Sequence, residues 1–367
     1  MNNHAIAAPH ASAQRIAQLD GLRGLAILLV LLFHTYSRWP DHLPWVTVHR
    51  DFHLFKYGFL GVELFFLISG YVIYMTLEKC SSMREFMLRR WLRLFPAMLI
   101  ASIAIYATSF YLTERPKGPV QLADLLPGLL FVEERWLNKM HNFSDLDAIE
   151  GAFWSLFVEV KFYLVFGAFY FFDKRTALRN LIALFLLAFV YETMRKLTPA
   201  YTADVVTDVL FGLLSLKYFG WFCVGALMFK ARQSGNTKLL CLSLFMMVPT
   251  ILIMYGRDPT IVTACMLVYA VFYLALNNIP IGRLFTSRIF VFLGFVSYPL
   301  YLIHENAMVA MTIKTNQFFA NMPPLLTPLP GILLIVLIAY AMAKHLEPWM
   351  RAMLQKHLFA RVQIQAS

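Results

Sequence analysis

Apolar runs long enough to cross a lipid bilayer recur along most of this 367-residue chain. A helix needs about 20 apolar residues to cross a hydrocarbon core about 30 Å thick. The pattern predicts ten such helices, separated by short polar segments. The predicted spans are 19–37, 57–77, 94–112, 153–172, 180–195, 209–229, 238–255, 260–277, 289–310 and 328–345.

One apolar stretch, residues 120–133, is too short to span comfortably and contains Pro127. We expect it to be a re-entrant or interfacial piece of a long outer loop. A span there would reverse the orientation of every later helix.

Composition and charge placement agree with a membrane protein. The chain is 59% hydrophobic and 14% charged, whereas soluble domains carry about 25% charged residues. With the N-terminus inside, nineteen of the 32 Lys and Arg residues fall on inner segments and eleven on outer ones. This positive-inside bias predicts an all-α polytopic membrane protein with both termini cytoplasmic, whose partner is the lipid bilayer and not a nucleic acid.

Three further features limit the possibilities. Residues 1–18 are predicted to be a disordered cytoplasmic segment, and residues 347–367 an amphipathic, basic tail that lies on the inner leaflet. The four cysteines have no close spacing, so no zinc site or disulfide framework is predicted and no metal is expected. They are Cys80, Cys223, Cys241 and Cys265.

Arg23 and His34 are ionisable residues within the first span. Their separation is three helical turns plus about 20°, so both project from one face, roughly 16.5 Å apart along the axis. Each ionisable group costs about 2.5–3.5 kcal/mol in a membrane helix. Either could be explained alone, Arg23 by snorkelling and His34 by an interfacial place. Together they predict a polar path inside the bundle.

Other polar residues fall in later spans. Glu63 lies in the second span, Glu159 and Lys161 in the fourth, and His304 toward the outer end of the ninth. A basic turn, RRWLRLFP at 89–96, leads into the third. The turn could reflect the positive-inside rule alone, and Glu63 could belong to a structural ion pair.

Five sequence stretches, in this order, resemble the membrane-bound acyltransferase-3 family over essentially the whole chain. They are LDGLRG followed by His34, GVELFFLISGY, RRWLRLFP, WSLFVE and SYPLYLIH. The chain departs from the family pattern at Val160 and Lys161, where acidic or amide residues are usual.

The resemblance implies that residues 19–346 form an acyltransferase transmembrane domain. Such a domain moves an acyl group, most often acetyl, from cytoplasmic acyl-CoA to a hydroxyl of an extracytoplasmic carbohydrate. The acceptor would be a polysaccharide, such as lipopolysaccharide, or a glycolipid at a bacterial inner membrane. Acyl-CoA would serve as co-substrate, with no metal.

The resemblance also assigns roles. The family's essential Arg and His correspond to Arg23 and His34, and its basic Arg-x-x-Arg turn to Arg90 and Arg93. Arg89 joins these arginines as a candidate for binding the donor. Histidine has a pKa that suits a general base for a hydroxyl.

The remaining polar residues are assigned around this pair. Glu63 is predicted to orient His34, although pairing with Arg23 or Lys161 stays open. Trp154, Glu159 and His304 are candidate acceptor contacts.

Two alternatives remain open from the sequence. The acyl group could pass directly to the acceptor or through a transient acyl-histidine at His34. The chain could instead be a non-enzymatic transporter or flippase of a small solute or lipid-linked sugar, although we find no pair of inverted repeats.

Overall fold

The computed structural model describes residues 17–43, 45–49, 51–139, 145–197, 211–318 and 322–364, and within these ranges the secondary structure is entirely helical. Twelve helices form the framework. They are α1 (Ala17–Tyr36), α2 (Gly61–Leu77), α3 (Met83–Ser109), α4 (Trp154–Phe172), α5 (Ala177–Leu197), α6 (Phe219–Ser234), α7 (Thr237–Tyr255), α8 (Pro259–Asn277), α9 (Arg288–Ile303), α10 (Asn306–Asn316), α11 (Leu329–Ala341) and α12 (Glu347–Ile364).

The prediction of an all-helical integral membrane protein is confirmed. In the described ranges, eight helices are long and apolar enough to cross a membrane, and the bent pair α9 and α10 would make a ninth. The predicted sixth span, 209–229, corresponds in part to α6, which has 16 residues. Most of α6 is buried, as expected for a helix that is apolar all round. The count of ten and the sides of the termini stay predictions.

The predicted ninth span, 289–310, is not one continuous helix. It ends at Ile303 and resumes at Asn306 with a bend of 90°. At the bend, the backbone N–H of Asn306 donates to the side chain of Glu150 instead of continuing the helical ladder. A contact from a distant segment therefore breaks this helix.

The short apolar stretch at 120–133 does not span. It forms a helical turn, Leu122–Asp124, and a six-residue helix, Leu125–Leu130. Six helical residues rise only about 9 Å. The helix ends at Phe131, whose left-handed φ of 55° stops it. This geometry fits the re-entrant or interfacial piece, while its predicted outer location stays a prediction.

Helices α1 and α9 pack side by side in the same direction, with their backbones in contact. A Cβ atom on Gly24 would collide with the carbonyl oxygen of Phe290, and one on Gly294 with the carbonyl oxygen of Asp20. The glycines make this close packing possible. Gly24 lies beside Gly294, which is 270 residues later in the chain. His34 and its neighbour His304 have the same separation, as expected for two helices that run in the same direction.

An aromatic core joins α2, α4 and α6. The Phe222 ring stacks on Phe66, with centroids 4.6 Å apart, and on Phe162, at 4.2 Å. All three side chains are buried. This core holds α4 against α2, so that α1, α2, α3, α4 and α9 surround the polar interior.

The predicted domain limits are only partly within the described ranges. Residues 1–16 and 365–367 lie outside them, and residues 17 and 18 already belong to α1. A π-helical turn, Met342–Leu346, joins α11 to α12. The position of α12 on an inner leaflet stays a prediction.

Candidate active site

His34 lies in the last turn of α1, with its side chain 12% exposed. Its Nδ1 atom is 3.0 Å from the carbonyl oxygen of Val30. A carbonyl can only accept a hydrogen bond, so this contact assigns the proton to Nδ1 and leaves the Nε2 lone pair free. Nε2 lies 3.8 Å from Oε1 of Glu305. The arrangement is that of a base whose protonated form has a carboxylate beside it.

His304 is the second histidine of this cluster. Its Nδ1 is 2.8 Å from the carbonyl oxygen of Tyr301, and its Nε2 is 3.4 Å from Nδ1 of His34. The two rings meet edge to face, with centroids 4.7 Å apart. His304 is fully buried at the bend after α9. It therefore packs against His34, while its predicted contact with the acceptor stays a prediction.

Glu305 is held by the backbone at the start of the helical turn that leads into α4. Its Oε2 accepts a hydrogen bond from the backbone N–H of Ala152 at 2.6 Å. A Cβ on Gly151 would lie 2.9 Å from both carboxylate oxygens, so glycine permits this approach. The positive end of the helix dipole also favours a carboxylate here.

Glu63, which is predicted to orient His34, contacts a different residue in the structure. Glu63 accepts a hydrogen bond from the Tyr255 hydroxyl, and its other oxygen is buried with no partner within the described ranges. The first turn of α2 presents Glu63 to α7 rather than to α1. Lys161, the other residue considered for this pairing, binds Glu133 instead, at 2.5 Å.

A cavity of about 70 Å³ lies among α1, α2, α3, α4 and α9. Three cationic side chains converge on it, those of Arg23, Arg90 and Arg93. Arg90 is 8% exposed and donates to the Thr76 hydroxyl at 2.6 Å, while its Nε is buried without a partner in the described structure. A buried guanidinium with a spare donor is suited to an anionic or carbonyl ligand.

A second cavity of about 590 Å³ adjoins the first toward the N-terminal end of α1. Arg23 and Arg93 line both cavities, and Lys79 and Arg351 line the second. Arg23 also pairs with Asp20 at 3.2 Å. These two connected spaces are called the arginine cavities below.

The structure separates Arg89 from the other predicted arginines. Successive helical residues point about 100° apart. Arg90 therefore faces the interior, while Arg89 pairs with Glu85 on the surface at 2.5 Å. Arg89 is not among the residues that line the arginine cavities, so its predicted place in the donor-binding set gains no support from their geometry.

Glu159 lines the smaller of the two arginine cavities. Its Oε1 accepts hydrogen bonds from the Ser69 and Tyr163 hydroxyls, each at 2.5 Å. It lines the smaller cavity together with Arg23. This place suits balancing the arginine charges, while its role as an acceptor contact stays a prediction.

A cleft of about 580 Å³ opens at the N-terminal end of α4. It is called the outer cleft below, because the sequence predicts that this end of α4 faces the outside. Its wall includes Trp154, whose ring lies 4.8 Å from that of Tyr218. Gly151 lines the cleft and also touches Glu305, so the cleft reaches the back of the histidine cluster.

Glu133 is a charged residue of the same wall. Burial alone would raise the pKa of Glu133, but hydrogen bonds and charge from Lys161 and Arg135 hold that pKa below its usual value. Glu133 is therefore ionised and fixed, with a cation on each side.

One layer of side chains stands between the outer cleft and the smaller arginine cavity. Ser155, next to Trp154, is 2.7 Å from the Tyr301 hydroxyl, and both line the arginine cavity. The Tyr301 ring in turn lies 5.2 Å from His304. The His304 ring thus stands between Tyr301 and His34, and a polar path that reaches His34 stays a prediction.

Comparison with known proteins identifies the family. A family model described as an acyltransferase domain matches residues 16–344. The chain belongs to the acyltransferase-3 family. This match covers every residue of the site just described apart from Arg351.

Two curated relatives are similar to part of the chain. Peptidoglycan O-acetyltransferase OatA of Listeria monocytogenes is 31% identical over 173 residues, which is 43% of this chain and 24% of that protein. O-acetyltransferase OatA of Staphylococcus aureus is 30% identical over 166 residues, or 42% of this chain and 24% of that protein. The matches thus cover about a quarter of the relatives' length. No solved structure matches the chain.

Sequence reasoning missed Glu305, Tyr301 and Ser155. A signal was present for Glu305, because a His-Glu pair interrupts an otherwise apolar run. Tyr301 and Ser155 carry no such signal, since a tyrosine or serine in a membrane helix is ordinary. In the acyltransferase-3 motifs, Glu305 directly follows His304, and Ser155 directly follows Trp154.

Proposed function

We propose that the protein is a membrane O-acyltransferase that moves an acetyl group from acyl-CoA to a hydroxyl of a carbohydrate. One observation carries the proposal: Nε2 of His34 lies 3.8 Å from Oε1 of Glu305, and the His304 ring links His34 to Tyr301 in the lining of the smaller arginine cavity. Family membership supports the reaction class.

The arginine cavities suit an acyl-CoA donor. The wide cavity offers Lys79, Arg93 and Arg351 for the phosphates of the nucleotide. The narrow cavity would take the slender pantetheine arm past Arg23 and Arg90. The thioester would then reach the layer formed by Ser155 and Tyr301.

The outer cleft suits a carbohydrate acceptor. Trp154 and Tyr218 offer apolar ring surfaces with polar edges, and charged residues surround them. The relatives named above are bacterial O-acetyltransferases, one of them named for peptidoglycan. They support an acceptor in the bacterial envelope, and we propose that the protein lies in the bacterial inner (plasma) membrane.

In the proposed reaction, Nε2 of His34 takes the proton of the acceptor hydroxyl. The hydroxyl oxygen attacks the thioester carbonyl carbon, and Glu305 stabilises the imidazolium that forms. When the C–S bond breaks, the imidazolium returns its proton to the sulfur, which yields the ester and the CoA thiol. We propose direct transfer, because the same nitrogen cannot act as base while it carries the acyl group.

The test uses membrane vesicles that contain the protein, supplied with acetyl-CoA labelled in the acetyl group. We expect ester-linked label in the vesicle carbohydrate with the wild type, and a loss of about 100-fold or more with His34→Ala. His42→Ala, an exposed histidine of the loop after α1, is the matched control and should retain activity.

Three outcomes would contradict the proposal or a part of it. Wild-type turnover by His34→Ala would exclude the general base. Label trapped on the protein would replace direct transfer with an acyl-histidine. Solute uptake without covalent transfer would favour the transporter.

A further inference from the structure

Two segments of the chain exchange hydrogen bonds next to His34. Oε2 of Glu150 accepts from the backbone N–H of Asn306 at 2.9 Å and from its side-chain amide at 2.6 Å. In return, Glu305 accepts from the backbone N–H of Ala152. The Glu150 carboxylate thus binds the backbone N–H of the residue after Glu305, and the Glu305 carboxylate binds the backbone N–H two residues after Glu150. We call this exchange the clasp.

The Glu150 carboxylate is deeply buried and compensated. Glu150 is 1% exposed, and Nη2 of Arg115 lies 3.4 Å from its Oε1. Arg115 is itself buried and also donates to the carbonyl oxygens of Ile105 and Ile149, at 3.3 and 2.9 Å. Burial raises the pKa of Glu150, and the nearby Glu305 raises it further, while Arg115 opposes both.

Asn306 takes part in this network with its backbone N–H and with both polar groups of its side chain. Besides its two bonds to Glu150, its side-chain oxygen accepts from the backbone N–H of Lys117 at 3.1 Å. The 90° bend between α9 and α10 lies here. A bend frees backbone donors from the helical ladder, and buried donors need partners. Glu150 supplies the partner for Asn306.

We propose that Glu150 is a positioning residue: anchored by Arg115, it fixes Asn306 and so keeps the neighbouring Glu305 beside His34. The inference rests on the proposed function and deepens it. Glu150 acts through Glu305 and touches no reacting atom. Its effect on the reaction should therefore exist only while Glu305 has its carboxylate.

A double-mutant cycle tests this dependence. Acetyl transfer from acetyl-CoA to purified surface polysaccharide is measured for Glu150→Gln, Glu305→Gln and the double variant. Glu150→Gln keeps an oxygen that accepts from Asn306 but loses the charge that Arg115 holds. Glu78→Gln, which removes a surface partner of Lys230, is the matched control.

We expect Glu150→Gln to lower the apparent kcat about tenfold to 100-fold, with the donor KM within about twofold of the wild type. The double variant should be no slower than Glu305→Gln alone, and Glu78→Gln should behave as wild type. Thermal unfolding is measured on every variant, so that loss of folded protein is not counted as loss of rate.

The proposal is overturned if the Glu150→Gln variant turns over at the wild-type rate. It is also overturned if adding Glu150→Gln to the Glu305→Gln variant lowers the rate by the same factor as adding it to the wild type. The second result would make Glu150 a purely structural residue. If Glu150→Gln does not fold, the cycle is repeated with Asn306→Ala, which keeps the charged pair and removes the side-chain bond. A wild-type protein that transfers no acetyl group overturns the proposed function instead.

Discussion

At the scale of single residues, the site is a set of buried charges with assigned partners. Glu305 has a backbone donor at Ala152 and the imidazole of His34. Glu63 has Tyr255. Both carboxylates are buried in the bundle, yet only one stands where it could stabilise an imidazolium. The residues that each carboxylate contacts, and not its burial, therefore distinguish the roles of Glu305 and Glu63.

This difference predicts opposite results for two matched substitutions. Glu305→Gln should lower acetyl transfer about 100-fold, because the protonated His34 loses its counter-charge. Glu63→Gln should keep the rate within about threefold of the wild type, since the amide can still accept from Tyr255. The measurement is initial rate at saturating acetyl-CoA. Equal losses for the two variants would contradict the assignment of Glu305.

At the scale of helices, the packing of α1 on α9 sets the positions of His34 and His304 relative to each other along the helix axes. Gly24 and Gly294 allow the backbones to touch, and ten residues further along both helices His34 meets His304. Because the two helices run in the same direction, any separation near the glycines also displaces the imidazole pair.

Gly294→Ala should therefore destabilise the protein by about 1–3 kcal/mol, because its Cβ would strike the carbonyl oxygen of Asp20. Gly212→Ala is the control, since open space surrounds the place of its Cβ. Thermal unfolding in detergent compares the two. Equal unfolding temperatures would contradict the packing role of Gly294.

The helices also show what the sequence could and could not predict. Long apolar runs located α1, α2 and α4 within a few residues, because burial in lipid depends on local composition. The apolar pattern does not predict the bend after α9, where the backbone N–H of Asn306 donates to Glu150, more than 150 residues away. Apolar periodicity carries no information on such a partner.

The same limit applies to the site. Spacing and residue type identified Arg23 and His34, because two ionisable groups on one face of a membrane helix are costly. The assignment of Glu63 used depth in the membrane alone. Depth does not say which neighbouring helix a side chain faces, and Glu63 faces α7.

At the scale of the whole molecule, spaces with different chemistry lie at the two ends of one bundle. Cations converge on the arginine cavities, whereas aromatic rings and paired charges line the outer cleft. An anionic donor and a polyhydroxy acceptor would therefore meet from opposite sides.

This arrangement predicts that a substitution can change the affinity for the donor without changing the affinity for the acceptor. Arg93→Gln should raise the KM for acetyl-CoA about tenfold, because a phosphate loses a charged partner. Arg89→Gln removes the same charge from the adjacent surface and should leave that KM within about twofold. Acceptor KM should be unchanged in both. An equal effect of the two substitutions would show only a general charge effect.

The layer of Ser155, Tyr301 and His304 has a consequence for the cell that harbours this protein. A continuous water-filled pore would let protons flow down the membrane potential, which is worth about 2.3 kcal/mol per charge at 100 mV. Packed rings at the layer oppose such a leak, so the proposed transfer of a neutral acetyl group would leave the electrochemical gradient intact.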